Sequence, residues 1–213
     1  SIIALTNGGF VVTWSSDQDG SDYNIYAQRY DNNGTAQGNE FRVNSYTTNS
    51  QAASSITKLT NGDFVVVWQS DGQDGSYNGV YAQRYDANGV TLGNEFLVNS
   101  YTGDSQFEPS ITALTDGGFA VAWTSVMRYG IYAQLYDANG MTRSSEFRVN
   151  TFYSNSEFQS PSIIALTNSG FAVTWSVPDK DGSVMGIFAK RYDVDGMSEF
   201  RVNTYTTNSQ QTA

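Results

Sequence analysis

Ser1-Ile2-Ile3-Ala4-Leu5 returns as Ser55-Ile56-Thr57-Lys58-Leu59, as Ser110-Ile111-Thr112-Ala113-Leu114 and as Ser162-Ile163-Ile164-Ala165-Leu166. The landmarks after each start recur in the same order. A Trp closes an apolar run at Trp14, Trp68, Trp123 and Trp175. A Tyr-Asp pair stands at Tyr30-Asp31, Tyr85-Asp86, Tyr136-Asp137 and Tyr192-Asp193. A Glu-Phe pair stands at Glu40-Phe41, Glu95-Phe96, Glu146-Phe147 and Glu199-Phe200. The chain is therefore four tandem copies of one repeat of roughly 52 residues, and a repeat of that period is a solenoid, propeller or array signal. The units run approximately over 1–54, 55–109, 110–161 and 162–213, within a single repeat domain.

Each unit reads as four strands. The first is the short run at residues 2–5. Thr6-Asn7-Gly8-Gly9 carries the Asn-Gly hairpin signal. Phe10-Val11-Val12-Thr13-Trp14 is apolar on both faces, as a strand covered on both sides must be. Ile25 to Tyr30 forms the third strand and ends in an Asp-x-Asn-Gly turn, seen at Asp31 to Gly34, Asp86 to Gly89 and Asp137 to Gly140. In the fourth, Glu40 to Asn44, Phe41 and Val43 alternate with Arg42 and Asn44, the pattern of a half-exposed outer strand. A long polar loop, Ser45 to Ser54, leads to the next unit. One such unit cannot bury its own faces, so neighbours must cover them. The expectation is an all-β, four-bladed β-propeller. Part of a larger propeller, or a linear β-repeat array, is the alternative. Asn208-Ser209-Gln210 matches Asn49-Ser50-Gln51, so the two ends are expected to meet in a ring.

Composition narrows the function. With 39% hydrophobic residues a core can form, while 15% charged residues leave a surface of Ser, Thr, Asn, Gln and Gly. The net charge of −10 repels phosphate backbones and anionic lipid. Nucleic acid is thus excluded as a partner, and no apolar run is long enough for membrane insertion. The chain has no Cys and no His, which removes disulfides, Cys- or His-ligated zinc and any His-based triad. The absence of an initiator Met and of a signal peptide reads as a processed or excised piece.

Phe64 to Trp68, Asp74 to Ser76, Val80 to Gly89 and Glu95 to Thr102 together resemble a repeat of very large secreted bacterial proteins of the calcium-binding, hemolysin-type and adhesin-like kind. The resemblance covers all four units and implies an extracellular or bacterial cell-surface location. The third unit departs from it, since Thr124 to Gly130 lacks the Asp-Gly-Ser segment and Leu135 replaces the Arg of Arg29, Arg84 and Arg191.

Two sets of residues are candidates for chemistry. The loops between second and third strands hold Asp17, Asp19 and Asp22, then Asp71 and Asp74, then Asp179 and Asp181. Alternating Asp around a Gly turn can wrap oxygen ligands about Ca²⁺, although a solvated turn uses the same residues. The second set pairs an amide with an aromatic at the start of each long loop: Asn44 with Tyr46, Asn99 with Tyr101, Asn150 with Phe152, Asn203 with Tyr205. Amides bond sugar hydroxyls and rings stack on sugar faces, but an Asn capping the strand end is the competing explanation and the stronger one. Only Glu108 and Glu157 among the glutamates lie outside the repeated position. Nothing pairs either with a unique Asp, as glycoside hydrolysis requires. The expectation is therefore a non-catalytic, lectin-like module for glycans or cell-surface polysaccharide. A self-associating, calcium-stabilised scaffold is its rival, and a carboxylate-dependent glycoside hydrolase ranks third.

Overall fold

The computed structural model describes residues 1–20, 22–151, 160–167, 170–178, 185–193 and 196–204. Among the described residues there are sixteen strands in four separate four-stranded antiparallel sheets, each built from one repeat in simple chain order. The first sheet is β1 (Ile2–Ala4), β2 (Phe10–Ser16), β3 (Asn24–Tyr30) and β4 (Phe41–Arg42). The second is β5 (Gln51–Lys58), β6 (Phe64–Asp71), β7 (Asn78–Tyr85) and β8 (Phe96–Leu97). The third is β9 (Gln106–Ala113), β10 (Phe119–Ser125), β11 (Gly130–Tyr136) and β12 (Phe147–Arg148). The fourth is β13 (Ser162–Ala165), β14 (Phe171–Pro178), β15 (Met185–Asp193) and β16 (Gly196–Arg201). These are the blades of a β-propeller. The first strands of successive blades pack together, β1 on β5, β5 on β9 and β9 on β13.

The hairpins form where the sequence asks for them. Gly62 in the β5–β6 turn has φ +93°, a conformation only Gly adopts without strain, and Gly62 donates its N–H to Leu59 while Leu59 donates to Asp63. The Asp-x-Asn-Gly turns are closed by their own carboxylate. Asp86 Oδ1 accepts from the N–H groups of Asn88 and Val90, both at 2.8 Å, and Asp31 and Asp137 do the same in their units.

Three apolar cores lie between consecutive sheets. Leu5, Val11 and Ile25 of the first sheet meet Phe64, Val66, Trp68 and Tyr85 of the second. Val65, Val67 and Val80 meet Phe119, Val121 and Trp123 of the third. Ala120, Ala122 and Ile131 meet Phe171, Val173 and Trp175 of the fourth. A strand apolar on both faces serves two cores at once, which is why every side chain from Phe64 to Trp68 is fully buried.

Two boundaries differ from the sequence expectation. The outermost strands are two residues long in the first three blades, so Asn44 lies past the strand and the alternation stops before reaching it. The first strands of the second and third blades, β5 and β9, start early, at Gln51 and Gln106, inside the stretch expected as loop. They do so through a β-bulge on each, opposite the second strand of the blade. An extra residue in left-handed backbone, Ala53 at φ +52° and Glu108 at φ +53°, resets the register.

Candidate functional site

The amide residues of the long loops turn inward. Asn44 is 2% exposed, and its Oδ1 accepts from Ile25 N–H at 2.7 Å. Its Nδ2 donates to Asn24 Oδ1, to the Tyr46 carbonyl and to Gln51 Oε1. Asn99 repeats the pattern on Val80 N–H, the Tyr101 carbonyl and Gln106. Asn150 accepts from Ile131 N–H and Asn203 from Ile187 N–H. Each Asn thus continues the sheet ladder with its side chain after the outer strand has ended, and ties the loop start to the third strand of its own blade. A buried amide with its hydrogen-bonding groups used inside the protein holds the loop rather than offering itself to a ligand.

The aromatics beside them differ in setting. Tyr46 is half-buried and Tyr101 is 42% exposed. Phe152 and Tyr205 lie outside the described residues. In the third blade, where the Asp-Gly-Ser segment is lost, Arg128 lies over the ring of Tyr132 at 3.7 Å and that of Tyr101 at 5.0 Å, and pairs with Glu146. Arg29 and Arg84 each reach a backbone carbonyl of the next blade, Asn88 and Asn139.

The described acidic loops use their carboxylates within the protein. Asp19 accepts from Asn24 Nδ2 and pairs with Arg42 at 3.4 Å. Asp17 and Asp22 are exposed near it, and Asp71 ends β6. Asp74 Oδ1 caps the N–H of Ser76. Asp179 and Asp181 lie outside the described residues. Among the described residues no three carboxylates converge closely enough to hold an ion, so the donor set for Ca²⁺ is not met there.

A different carboxylate stands on the first strand of the third blade, β9. Ala53, Glu108 and Ser160 occupy the same place in three successive repeats, each two residues before the Ser of the recurring Ser-Ile start, and all three have positive φ. A non-Gly side chain there costs backbone strain. The half-buried Glu108 is held by its neighbours on both sides. Its N–H donates to Gln69 Oε1 at 3.1 Å, and its Oε2 accepts from Ser160 Oγ of the fourth blade at 2.6 Å. Glu108 was visible in the sequence as one of two glutamates off the repeat. Its contact with the next blade was not visible, because it depends on the bulge. Elsewhere, a groove of about 440 Å³ between the first two blades is lined by Arg42, Asn44, Gln83, Asn94 and Glu95.

No protein-family model matches the chain, and no curated protein matches it. Solved structures do. The sialidase Hz136, described as Hadza microbial, matches at TM-score 0.63 and 12% identity, over 99% of this chain and 47% of its own. The NanB sialidase of Streptococcus pneumoniae matches at TM-score 0.65 and 8% identity, over 96% of this chain and 51% of its own. The GH43 endo-arabinanase of Bacillus licheniformis matches at TM-score 0.59 and 14% identity, over 97% of this chain and 79% of its own. The chain thus spans about half the length of the sialidases. At these identities the likeness is one of fold. It corrects the expectation of a non-catalytic binding or scaffold module and of a chain that is not an enzyme: the propellers that this chain resembles carry out glycoside hydrolysis.

Proposed function

We propose that this chain acts on carbohydrate as a glycoside hydrolase, with Glu108 as the carboxylate at its reaction centre. The carrying observation is that Glu108 is a non-repeated acid on the first strand of its blade, held in strained backbone and hydrogen-bonded by Ser160 ahead of the next blade's first strand. A repeated residue offers a ring of equal sites, whereas hydrolysis needs two carboxylates in different roles. Glu108 breaks the symmetry of the repeat where three blades meet. Ser160 fixes one of its oxygens and leaves the other for proton transfer. The hydrolase propellers with the same blade architecture support the reaction class. The resemblance of the repeat to those of secreted bacterial proteins supports an extracellular polysaccharide as the substrate. Glu157, the other non-repeated glutamate, lies outside the described residues.

The test is hydrolysis of arabinan, aryl arabinofuranosides and sialosides by the chain and its Glu108→Gln variant. Loss of an acid–base group lowers turnover by roughly 100- to 10,000-fold. That loss, with the fold intact by circular dichroism, is the expected result. An unmodified chain that cleaves none of these substrates, or a Glu108→Gln variant as active as its parent, rejects the reading.

A further inference from the structure

Three departures from the repeat lie together at the third blade. Glu108 is one. The second is the turn between β10 and β11, where Val126-Met127-Arg128-Tyr129 stands in place of the Asp-Gly-Ser loop. The third is Asp104, at the position that Asn49 holds one unit earlier. Asp104 is 1% exposed. Its Oδ2 accepts from the N–H groups of Met127 and Arg128 at 2.6 and 3.2 Å, and its carboxylate also accepts from Ser125 Oγ and Gln106 Nε2. Donors converging on one buried carboxylate fix the shape of the turn. Val126 N–H donates to the Ser105 carbonyl at 3.1 Å, which ties that turn to the segment entering β9.

Between this turn and the second blade lies a cavity of about 220 Å³, lined by Tyr77, Asp104, Ser105, Val126 and Met127. Tyr77 comes from the turn between β6 and β7. Tyr77 and Met127 are each 64% exposed, so they form the rim, and Val126 and the buried Asp104 lie deeper. The Asp104 oxygens are taken by the protein, whereas the half-buried Ser105 carries a hydroxyl that can donate and accept. Pockets that enclose a whole drug-sized ligand run to roughly 300–1,000 Å³, so this one has room for a single ring. Ser105 stands three residues before Glu108, which keeps their Cα atoms within about 11 Å. A short oligosaccharide held at Glu108 reaches that far.

We propose that this cavity is a substrate subsite, taking one neutral sugar ring of a polysaccharide whose scissile bond lies at Glu108; the assignment rests on the hydrolase reading of Glu108. A sugar ring is apolar on its faces and polar at its edge. The Tyr77 ring gives one face a flat wall, Val126 and Met127 give the rest an apolar lining, and the Ser105 hydroxyl meets the edge. Asp104 is the one charged residue of the lining, and the chain carries −10, so an uncharged ring is favoured over a sugar acid. Binding energy gathered here is remote from the reacting bond, and long chains gain it while short glycosides do not. The same blade thus supplies the carboxylate and the seat that selects for chain length.

Isothermal titration with arabino-oligosaccharides of increasing length, on the Glu108→Gln variant, reads the subsite apart from turnover. The expected result is a step of roughly tenfold in affinity once the oligosaccharide is long enough to reach the cavity, lost when Tyr77→Ala is added. Tyr77 is exposed, so its truncation leaves the fold intact. Tyr23→Ala, at an exposed Tyr of the matching turn in the first blade, should leave the step in place. With Glu108 present, Tyr77→Ala should raise KM for arabinan by roughly tenfold, while aryl arabinofuranosides, too short to reach the cavity, are cleaved as before. A step that survives Tyr77→Ala, or no binding of any arabino-oligosaccharide, overturns the subsite; the hydrolase reading still stands if aryl arabinofuranosides are cleaved through Glu108. An equal step with sialyl-oligosaccharides overturns the neutral ring. A Tyr77-dependent step in a chain that cleaves nothing supports the sugar seat and rejects Glu108 as the reaction centre.

Discussion

Phe10-Val11-Val12-Thr13-Trp14 and Phe64-Val65-Val66-Val67-Trp68 differ at one position, yet they live in different surroundings. In the second blade all five side chains are fully buried. In the first, Phe10, Val12 and Trp14 are only half-buried, while Val11 and Thr13 are covered. One face of β2 rests on the second blade, and among the described residues no apolar core covers the other. In a repeat protein a strand's burial is set by its neighbours, and the same residues serve as core or as surface according to place in the array.

Three measurements break or sharpen this contrast. The largest effect is expected from alkali, which strikes all three joined interfaces at once. Burial pushes the phenols of Tyr85, Tyr136 and Tyr192 far above their usual value of 10.0, and Tyr81 up to about 12, with nearby Asp74 and Glu95 adding to the last. A raised acid favours the folded state while it stays neutral. Its contribution is complete below pH 10.0 and is lost as pH rises through the folded values. Urea midpoints should therefore hold steady to about that pH and then drop steeply, together with the 295 nm absorbance step of tyrosinate. A phenolate step well before any loss of stability would show that the interfaces do not depend on these hydroxyls.

Next in size is a matched pair. Trp68→Ala opens a cavity in a closed core and should cost about 3–5 kcal/mol by urea unfolding, whereas Trp14→Ala should cost about half as much or less. Equal losses would mean that place in the array does not set what this Trp contributes. Smallest is the carboxylate that joins blades. Glu95→Ala removes the acceptor for Ser45 N–H from a half-buried site and should cost about 1 kcal/mol. Glu40→Ala should fall within about 0.5 kcal/mol of the parent, as exposed substitutions do. A measurable cost at Glu40 in dilute protein would break the contrast.

The blades are legible in the sequence because strand identity is written locally. Apolar runs, Asn-Gly turns and Asp-x-Asn-Gly turns each act within a few residues. Features whose deciding neighbour is remote are not legible there. Alternation along Glu40 to Asn44 assigned Asn44 the outward side of Arg42, but the strand ends at Arg42 and Asn44 turns in to meet Ile25. The aromatic-amide pairs looked like sugar sites because the sequence shows an amide beside a ring and not the N–H that claims it. Asp17, Asp19 and Asp22 are adjacent in sequence, but adjacency does not aim their oxygens at one point. Glu108 stood out by being off the repeat, while the bulge that sets it against Ser160 left no mark that a single sequence reveals.

That bulge has a consequence for how such a molecule can change. Ala53, Glu108 and Ser160 show that the backbone turn at this place survives three different side chains, one small, one acidic and one hydroxylic. The seat is prescribed and its tenant is free. A lineage copying blades can therefore trial new chemistry at one seat per copy, with the sheets around it undisturbed, and a designer can do the same by exchanging a single codon.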